Sequence, residues 1–269
     1  MEKYRFNYIM SGDRHLPKVL FLHGFMGNCH DFAEAIALLP QFCCLAIDLP
    51  DHGKTKTLET NYQMSDVAEA IIILLQKLDF KPCTLVGYSM GGRIALYLAI
   101  YFPQYFCGLV LESASAGLPT QPERDRRMAK DAQLARQLES TSFTNFLQRW
   151  YANPLFDSFR NHPRYQEAII KRANNNPQQL ARSLRQIGLG SQPNLTPLLG
   201  QIQLPIMIIV GELDHKFVAI GQKIAHSCPH IHLKIVDNTG HNVHFEQSEQ
   251  FAKLLLHFLQ EISAITHYK

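Results

Sequence analysis

Ser89 stands in VGYSMGGR, with Gly87 two places before it and Gly91 two places after. The apolar run CTLVGY ahead of it reads as a buried strand, and RIALYLAIYF behind it reads as a helix. A serine that a strand delivers to a sharp turn opening a helix has its hydroxyl exposed at the end of the sheet, the arrangement of a nucleophile elbow. The two glycines leave space that Cβ atoms would fill in so strained a turn. A hydroxyl is neither basic nor nucleophilic unaided. It needs an imidazole, and the imidazole needs a carboxylate to fix its tautomer.

Of thirteen histidines, His241 is the best placed, in the loop DNTGHNVHF after the last strand-like run. His244 is its rival, but it falls where the final helix should begin and is expected to face solvent or cap that helix. The acid is expected at Asp214, in VGELDHKF just past PIMIIVG. Glu112, which ends an earlier strand, is the competing acid, expected instead to order the loop below the pocket. HGFMG, residues 23–27, follows the run KVLFL where a backbone donor for an oxyanion is expected. The N–H groups of Phe25 and Met90 would face developing negative charge. His23 is expected to shape its own loop by hydrogen bonding and not to carry protons.

The elements that must position these residues alternate along the chain. Strands are expected at 18–24, 42–49, 82–88, 108–113, 205–211 and 233–238. Helices are expected at 31–39, at 64–78 with Ser65 as cap, at 93–102 and at 251–262. Continuous apolar strands separated by helices imply a mostly parallel sheet covered on both faces. Such sheets bind ligands at the C-terminal ends of their strands. Residues 120–200 break the rhythm: they are polar, helical in tendency and hold no good strand. The expected organisation is therefore a core of 1–116 and 201–269 with a helical cap at 117–200.

Charge sharpens this division. Twelve Lys and Arg and six Asp and Glu lie in 120–200, a net +6, against −3 for the remainder. A cationic cover over a pocket points to an anionic small-molecule substrate. The overall +3 is too mild to argue for nucleic acid. The start, MEKYRFNYIM, lacks the apolar core of a signal peptide, and the apolar runs AIIILL and PIMIIV fall far short of the about 20 residues that span a bilayer. A cytoplasmic protein without stable membrane insertion is the expectation. Of six cysteines, four lie in apolar strand-like runs and read as buried free thiols. HSCPHIH, residues 226–232, offers three histidines and a cysteine, but the spacing matches no standard zinc pattern and no metal is expected.

LHGF, DLPDHG, VGYSMGGR, GELD and GHN together resemble the α/β-hydrolase superfamily over nearly the whole chain. In that fold glycine is commoner where Asp51 stands, and the triad order is serine, acid, histidine. The arginine closing GYSMGGR, the Glu112–Leu118 segment, the arginine-rich start of the insertion, RWYANPLF, RANNN and GELDHKF are similar to a narrower branch. That branch is the 2-succinyl-6-hydroxy-2,4-cyclohexadiene-1-carboxylate synthases of menaquinone and phylloquinone biosynthesis. The resemblance implies a lyase that needs no cofactor and eliminates pyruvate from a tricarboxylate. By motif it implies Ser89, Asp214 and His241 as catalytic residues, and Tyr88, Arg93, Arg124, Trp150 and Arg172 as substrate-binding residues. The alternative is a serine ester or carbon–carbon bond hydrolase acting on an anionic substrate.

Overall fold

A computed structural model of the chain describes residues 3–227 and 231–266. Its strands are β1 (Tyr4–Arg5), β2 (Tyr8–Ser11), β3 (Lys18–Leu22), β4 (Cys43–Ile47), β5 (Lys56–Thr57), β6 (Cys83–Tyr88), β7 (Phe106–Glu112), β8 (Ile206–Gly211) and β9 (Ile231–Val236). The core helices are α1 (Ala33–Ala37), α2 (Met64–Lys77) and α3 (Met90–Tyr101). Between β7 and β8 come α4 (Gln121–Ser140), α5 (Phe143–Tyr151), α6 (Asp157–Asn161), α7 (Tyr165–Arg172) and α8 (Pro177–Ile187). The chain closes with α9 (His215–Ser227), α10 (Val243–Glu246) and α11 (Ser248–Thr266).

Seven strands form one sheet in the order β2-β4-β3-β6-β7-β8-β9. Every neighbouring pair is parallel except β2 with β4. This is the α/β-hydrolase architecture, a mostly parallel sheet flanked by helices. The apolar strands β4, β6 and β8 are buried at every position, as two-sided cover requires. Side chains alternate across the sheet. Leu20 and Leu22 face a layer holding Val67, Ile71 and Leu75 of α2 and Ile94 and Leu98 of α3. Val19 and Phe21 face the other layer, which holds Phe251, Leu255 and Phe258 of α11.

Besides the two-residue strands β1 and β5 and the short helix α10, two elements escaped the sequence reading. β2 is a short edge strand with no fully buried position, so it lacks the apolar run that marks the others. α9 begins directly at the site loop, where GELDHKF invites a reading for chemistry alone. The expected cap at Ser65 is also corrected. The helix does start at Met64, but Gln63 and not Ser65 is its N-cap, with its backbone N–H donating to Asp66 Oδ2 at 2.9 Å. The signal was Gln-x-x-Asp, a reciprocal cap in which the acid lies three residues on.

Helices α4–α8 form a third apolar cluster, in which Ala135 and Leu138 meet Phe146, Leu147, Tyr151, Phe159, Leu180 and Leu184, and Met26 of the loop after β3 joins it. Three arginines of this cap reach acids of the sheet domain: Arg164 pairs with Glu34, Arg172 with Asp31 and Arg182 with Asp51. Part of the cap's excess positive charge is therefore consumed in fastening it down. Among the described residues, no helix is long and apolar enough to cross a membrane. The stretch HSCPHIH lies partly outside the described residues. Within them no group of three His, Cys, Asp or Glu is placed to hold a metal ion.

Candidate active site

The sheet register brings the C-terminal ends of five strands together. Leu22 lies beside Gly87, Tyr88 beside Glu112, and Gly211 beside Val236. The loops that follow carry Phe25, Ser89, Ser113, Asp214 and His241. Ser89 has φ 50°, in the left-handed region, where a non-glycine residue stores about 1–3 kcal/mol. The glycines explain how the turn survives. A Cβ on Gly87 would lie 2.6 Å from the Gly91 carbonyl oxygen, and one on Gly91 would lie 2.1 Å from that of Leu22. Both obstacles are backbone, which cannot step aside.

His241 Nε2 lies 3.3 Å from Ser89 Oγ, and its Nδ1 lies 2.6 Å from Asp214 Oδ2. Asp214 and His241 are both buried, at 4% and 3% exposure, so the short contact is shielded from water. The carboxylate fixes the tautomer with the proton on Nδ1, which leaves the Nε2 lone pair facing the serine. The Asp214 carboxylate is itself anchored, accepting from the N–H of Phe217 at 3.2 Å. This arrangement can draw the proton from Ser89 Oγ and return it.

The competing pair takes a different place. His244 is buried at 2% exposure and neither faces solvent nor caps a helix. Glu112 Oε2 lies 2.7 Å from its Nδ1, and Glu112 Oε1 accepts its backbone N–H at 3.0 Å. His244 stacks on Phe32 and meets Tyr88 edge-on. Glu112 thus holds a layer beneath the site, away from the His241 ring. The approach of residue 244 to β7 is a tertiary fact with no sequence period to announce it.

The loop after β3 folds against the serine. A Cβ on Gly24 would lie 2.6 Å from the Tyr88 ring and 3.6 Å from Ser89 Cβ, so glycine there lets the Phe25 backbone approach. Met90 begins α3, whose first N–H groups have no partner within the helix and carry its positive end. His23 is buried, and burial lowers its pKa. Its Nδ1 donates to Gly24 O at 2.7 Å, and its Nε2 accepts from Leu49 N–H at 2.9 Å. The turn is braced from the cap as well: Arg172 Nη1 and Asn175 Nδ2 both donate to Met26 O, at 3.1 and 2.9 Å. Asn175 was missed because an Asn run beside a helix end reads as capping. Asn176 does cap α8, accepting from the N–H groups of Gln178 and Gln179.

Above Ser89 and His241 lies a cavity of ≈ 360 Å³, within the range of small-molecule sites. Phe25, Phe146, Trp150 and Phe217 give it apolar walls. Arg93, Arg127, Lys130, Arg149 and Lys216 also line it, and no carboxylate does among the described residues. A smaller recess of ≈ 40 Å³ beside Ser89 is lined by Tyr88, Tyr151, Arg172 and Asn242 among others. A larger cavity of ≈ 680 Å³ opens at the N-terminal ends of the strands, around Lys18, Cys43 and Thr84, remote from this chemistry.

The expected cations divide. Arg93 is buried, and its Nη1 donates to Ile187 O at the end of α8 and to Gln192 Oε1, at 3.2 and 3.1 Å. Burial, helped by Arg127, lowers its pKa to about 10. Arg172 holds Asp31 at 2.7 Å; burial opposes its charge, and Asp31 more than restores it. Arg124 is the correction: its guanidinium donates to Leu118 O at 3.1 Å and to Gln121 Oε1 at 2.7 Å, and it does not line the cavity. Arg127, three residues on, does, with Nε on Asp131 Oδ1 at 2.8 Å. The run ERDRR offered several arginines, and nothing in its spacing marks which of them faces the cavity. Lys216 was missed too. Partial desolvation of its ammonium at the cavity and then Arg127 lower its pKa, against the pull of Asp214, though much of the side chain is exposed.

Residues 17–248 match the family model for the alpha/beta hydrolase fold, so the chain belongs to that family. A protein of Photorhabdus laumondii subsp. laumondii is 34% identical over 248 residues, covering 90% of this chain and 85% of that protein. One of Escherichia coli O1:K1 / APEC is 33% identical over 231 residues, covering 86% and 89%. Both are named 2-succinyl-6-hydroxy-2,4-cyclohexadiene-1-carboxylate synthase. The structure of MenH from S. aureus superposes with a TM-score of 0.89 at 32% identity, covering 98% of this chain and all of that one. Within the alpha/beta hydrolases, the chain belongs to the family of these synthases, and it is an enzyme.

Proposed function

We propose that this enzyme eliminates pyruvate from 2-succinyl-5-enolpyruvyl-6-hydroxy-3-cyclohexene-1-carboxylate, giving 2-succinyl-6-hydroxy-2,4-cyclohexadiene-1-carboxylate for quinone biosynthesis. The observation that carries the reading is the cavity over Ser89 and His241, with five cationic side chains and no acidic one. The substrate has three carboxylates. Arg127 already answers Asp131, but the lining as a whole stays positive, a field that favours an anionic guest over a neutral ester. Arginine holds carboxylates through two parallel hydrogen bonds, which fixes orientation as well as charge.

His241, oriented by Asp214, takes the proton of Ser89 as the serine oxygen removes the ring proton α to the succinyl ketone. The electron pair passes into the ketone, whose oxygen becomes an enolate held by the N–H groups of Phe25 and Met90. Collapse of the enolate forms the second ring double bond and breaks the ring carbon–oxygen bond. Enolpyruvate leaves, takes up a proton and becomes pyruvate. No bond forms between serine and substrate. A free alkoxide is too basic to persist at neutral pH, so proton transfers through Ser89 must be concerted. The donors for the enolate supply much of the rate; losing one such donor typically costs about 100- to 1,000-fold. Arg127, Lys130, Arg149 and Lys216 bind carboxylates. Arg93 and Arg172 contribute while bracing the cap, and Trp150 and Tyr88 shape the walls.

The test is pyruvate release from the enolpyruvyl substrate by wild type and by Ser89→Ala. Release that survives the substitution would remove the serine from the mechanism. Rapid turnover of aryl esters without any pyruvate formed would favour the hydrolase.

A further inference from the structure

We infer that Glu246 is the positioning residue for His241, holding the peptide groups on either side of the imidazole so that Nε2 stays within reach of Ser89. The inference rests on the reading of His241 as the base.

Glu246 ends the short helix α10 and is 9% exposed. Its Oε2 accepts the N–H of Gly240 at 2.9 Å, and its Oε1 accepts the N–H of Asn242 at 3.3 Å. These are the backbone donors immediately before and after residue 241. The Glu246 backbone closes the ring from the other side, its N–H donating to Asn242 O at 2.9 Å. One residue therefore binds the segment 240–242 three times. Gly240 makes this possible: a Cβ there would lie 1.9 Å from Ser158 Oγ of the cap and 3.3 Å from Glu246 Oε1.

The distances give this bracing a kinetic consequence. A general base works when its partner lies within roughly 2.6–3.2 Å. The gap from Nε2 to Ser89 Oγ is 3.3 Å, already at the outer edge. Asp214 fixes the ring through Nδ1 but leaves the height of the loop over Ser89 to the backbone. A shift of a few tenths of an ångström would part the imidazole from the serine, and misplacements of about 1 Å cost roughly 100-fold. A plainer role, capping α10, would cost stability and leave the reactivity of folded protein unchanged.

The experiment compares wild type with Glu246→Gln and Glu246→Ala. It measures melting temperature, kcat and KM for pyruvate release, and the rate at which a small fluorophosphonate labels Ser89 by displacement of fluoride. Labelling needs only a serine activated by histidine and is blind to the lyase reaction. In Glu246→Gln an N–H₂ group replaces one acceptor and faces a backbone N–H. The expected result is a fall of about 10- to 100-fold in both kcat and the labelling rate, with KM within about twofold of wild type. Unchanged labelling by either folded variant would overturn the inference. So would a rise in KM that carries the whole loss. Glu246→Gln keeps the side chain's volume and one acceptor, and it carries the test if Glu246→Ala does not fold. Labelling that falls in the variants, with no pyruvate formed by wild type, would sink the proposed reaction and leave the role of Glu246 standing.

Discussion

Arg182, on cap helix α8, holds the carboxylate of Asp51, which sits in the loop after β4 with φ 65°. Arg182 Nε donates to Asp51 Oδ2 at 2.8 Å, and the buried hydroxyl of Tyr62 donates to the same oxygen at 2.7 Å. Asp51→Gly would release about 1 kcal/mol of left-handed strain. It would also leave the buried Tyr62 hydroxyl without an acceptor, at about 1–3 kcal/mol, and remove the ion pair of the partly exposed Arg182, at about 1 kcal/mol. A net loss of about 1–3 kcal/mol is expected, seen as a fall of several degrees in melting temperature. A glycine variant that melts at or above wild type would show that strain dominates.

The two buried acid–histidine pairs are predicted to separate by kind of effect. Asp214→Asn removes the group that fixes the His241 tautomer and is expected to lower kcat about 10,000-fold with little change in melting. Glu112→Gln leaves that relay intact and weakens the pair with His244. It is expected to cost about 1–3 kcal/mol of stability and only a few-fold in kcat. Equal losses of kcat would mean that the lower pair takes part in proton transfer.

Arg127 and Arg124 lie one helical turn apart and face different partners. A charge-assisted hydrogen bond is worth about 1.5–3 kcal/mol, so Arg127→Ala is expected to raise KM roughly 10- to 150-fold. Arg124→Ala is expected to change KM less than about threefold, because its guanidinium serves the first turn of α4. Steady-state pyruvate release measures both. The reverse ranking would move the carboxylate site to the cap's outer end.

Lys216 adds a dependence on pH. Its pKa lies below the ordinary lysine value, because partial desolvation at the cavity and then Arg127 disfavour the charged form. If Lys216 attracts a substrate carboxylate as proposed, that ammonium is lost as pH rises through this lowered value, earlier than for a free lysine. KM is expected to climb on the alkaline side, and Lys216→Met to raise KM at neutral pH and flatten the climb. A climb of the same shape in the variant would assign it to another group.

The sheet was legible because β3, β4, β6 and β8 are unbroken apolar runs, and because glycines flank Ser89 where the turn demands them. That Ser89, Asp214 and His241 come together was legible because each follows a strand within a few residues. What sequence concealed was sidedness. Arg124 and Arg127 share a charge and a helix, and only the packing of α4 on α8 decides which one looks into the cavity. His244 read as a surface residue because its burial depends on β7, more than 130 positions away in contact terms with Glu112. The positive excess of the cap was legible as a sum. Its division between fastening, by Arg164, Arg172 and Arg182, and guest recognition was not, because the acids that claim those three lie in other segments.

The cap is also the connection between β7 and β8, neighbouring strands of the sheet. Lengthening or exchanging that crossover need not disturb the pairing of any strand. Descendants of such a gene could thus trade one guest for another within a single contiguous stretch of codons, keeping the proton-transfer apparatus untouched. The three ionic ties set the terms of that trade, since a foreign crossover would have to answer Glu34, Asp31 and Asp51.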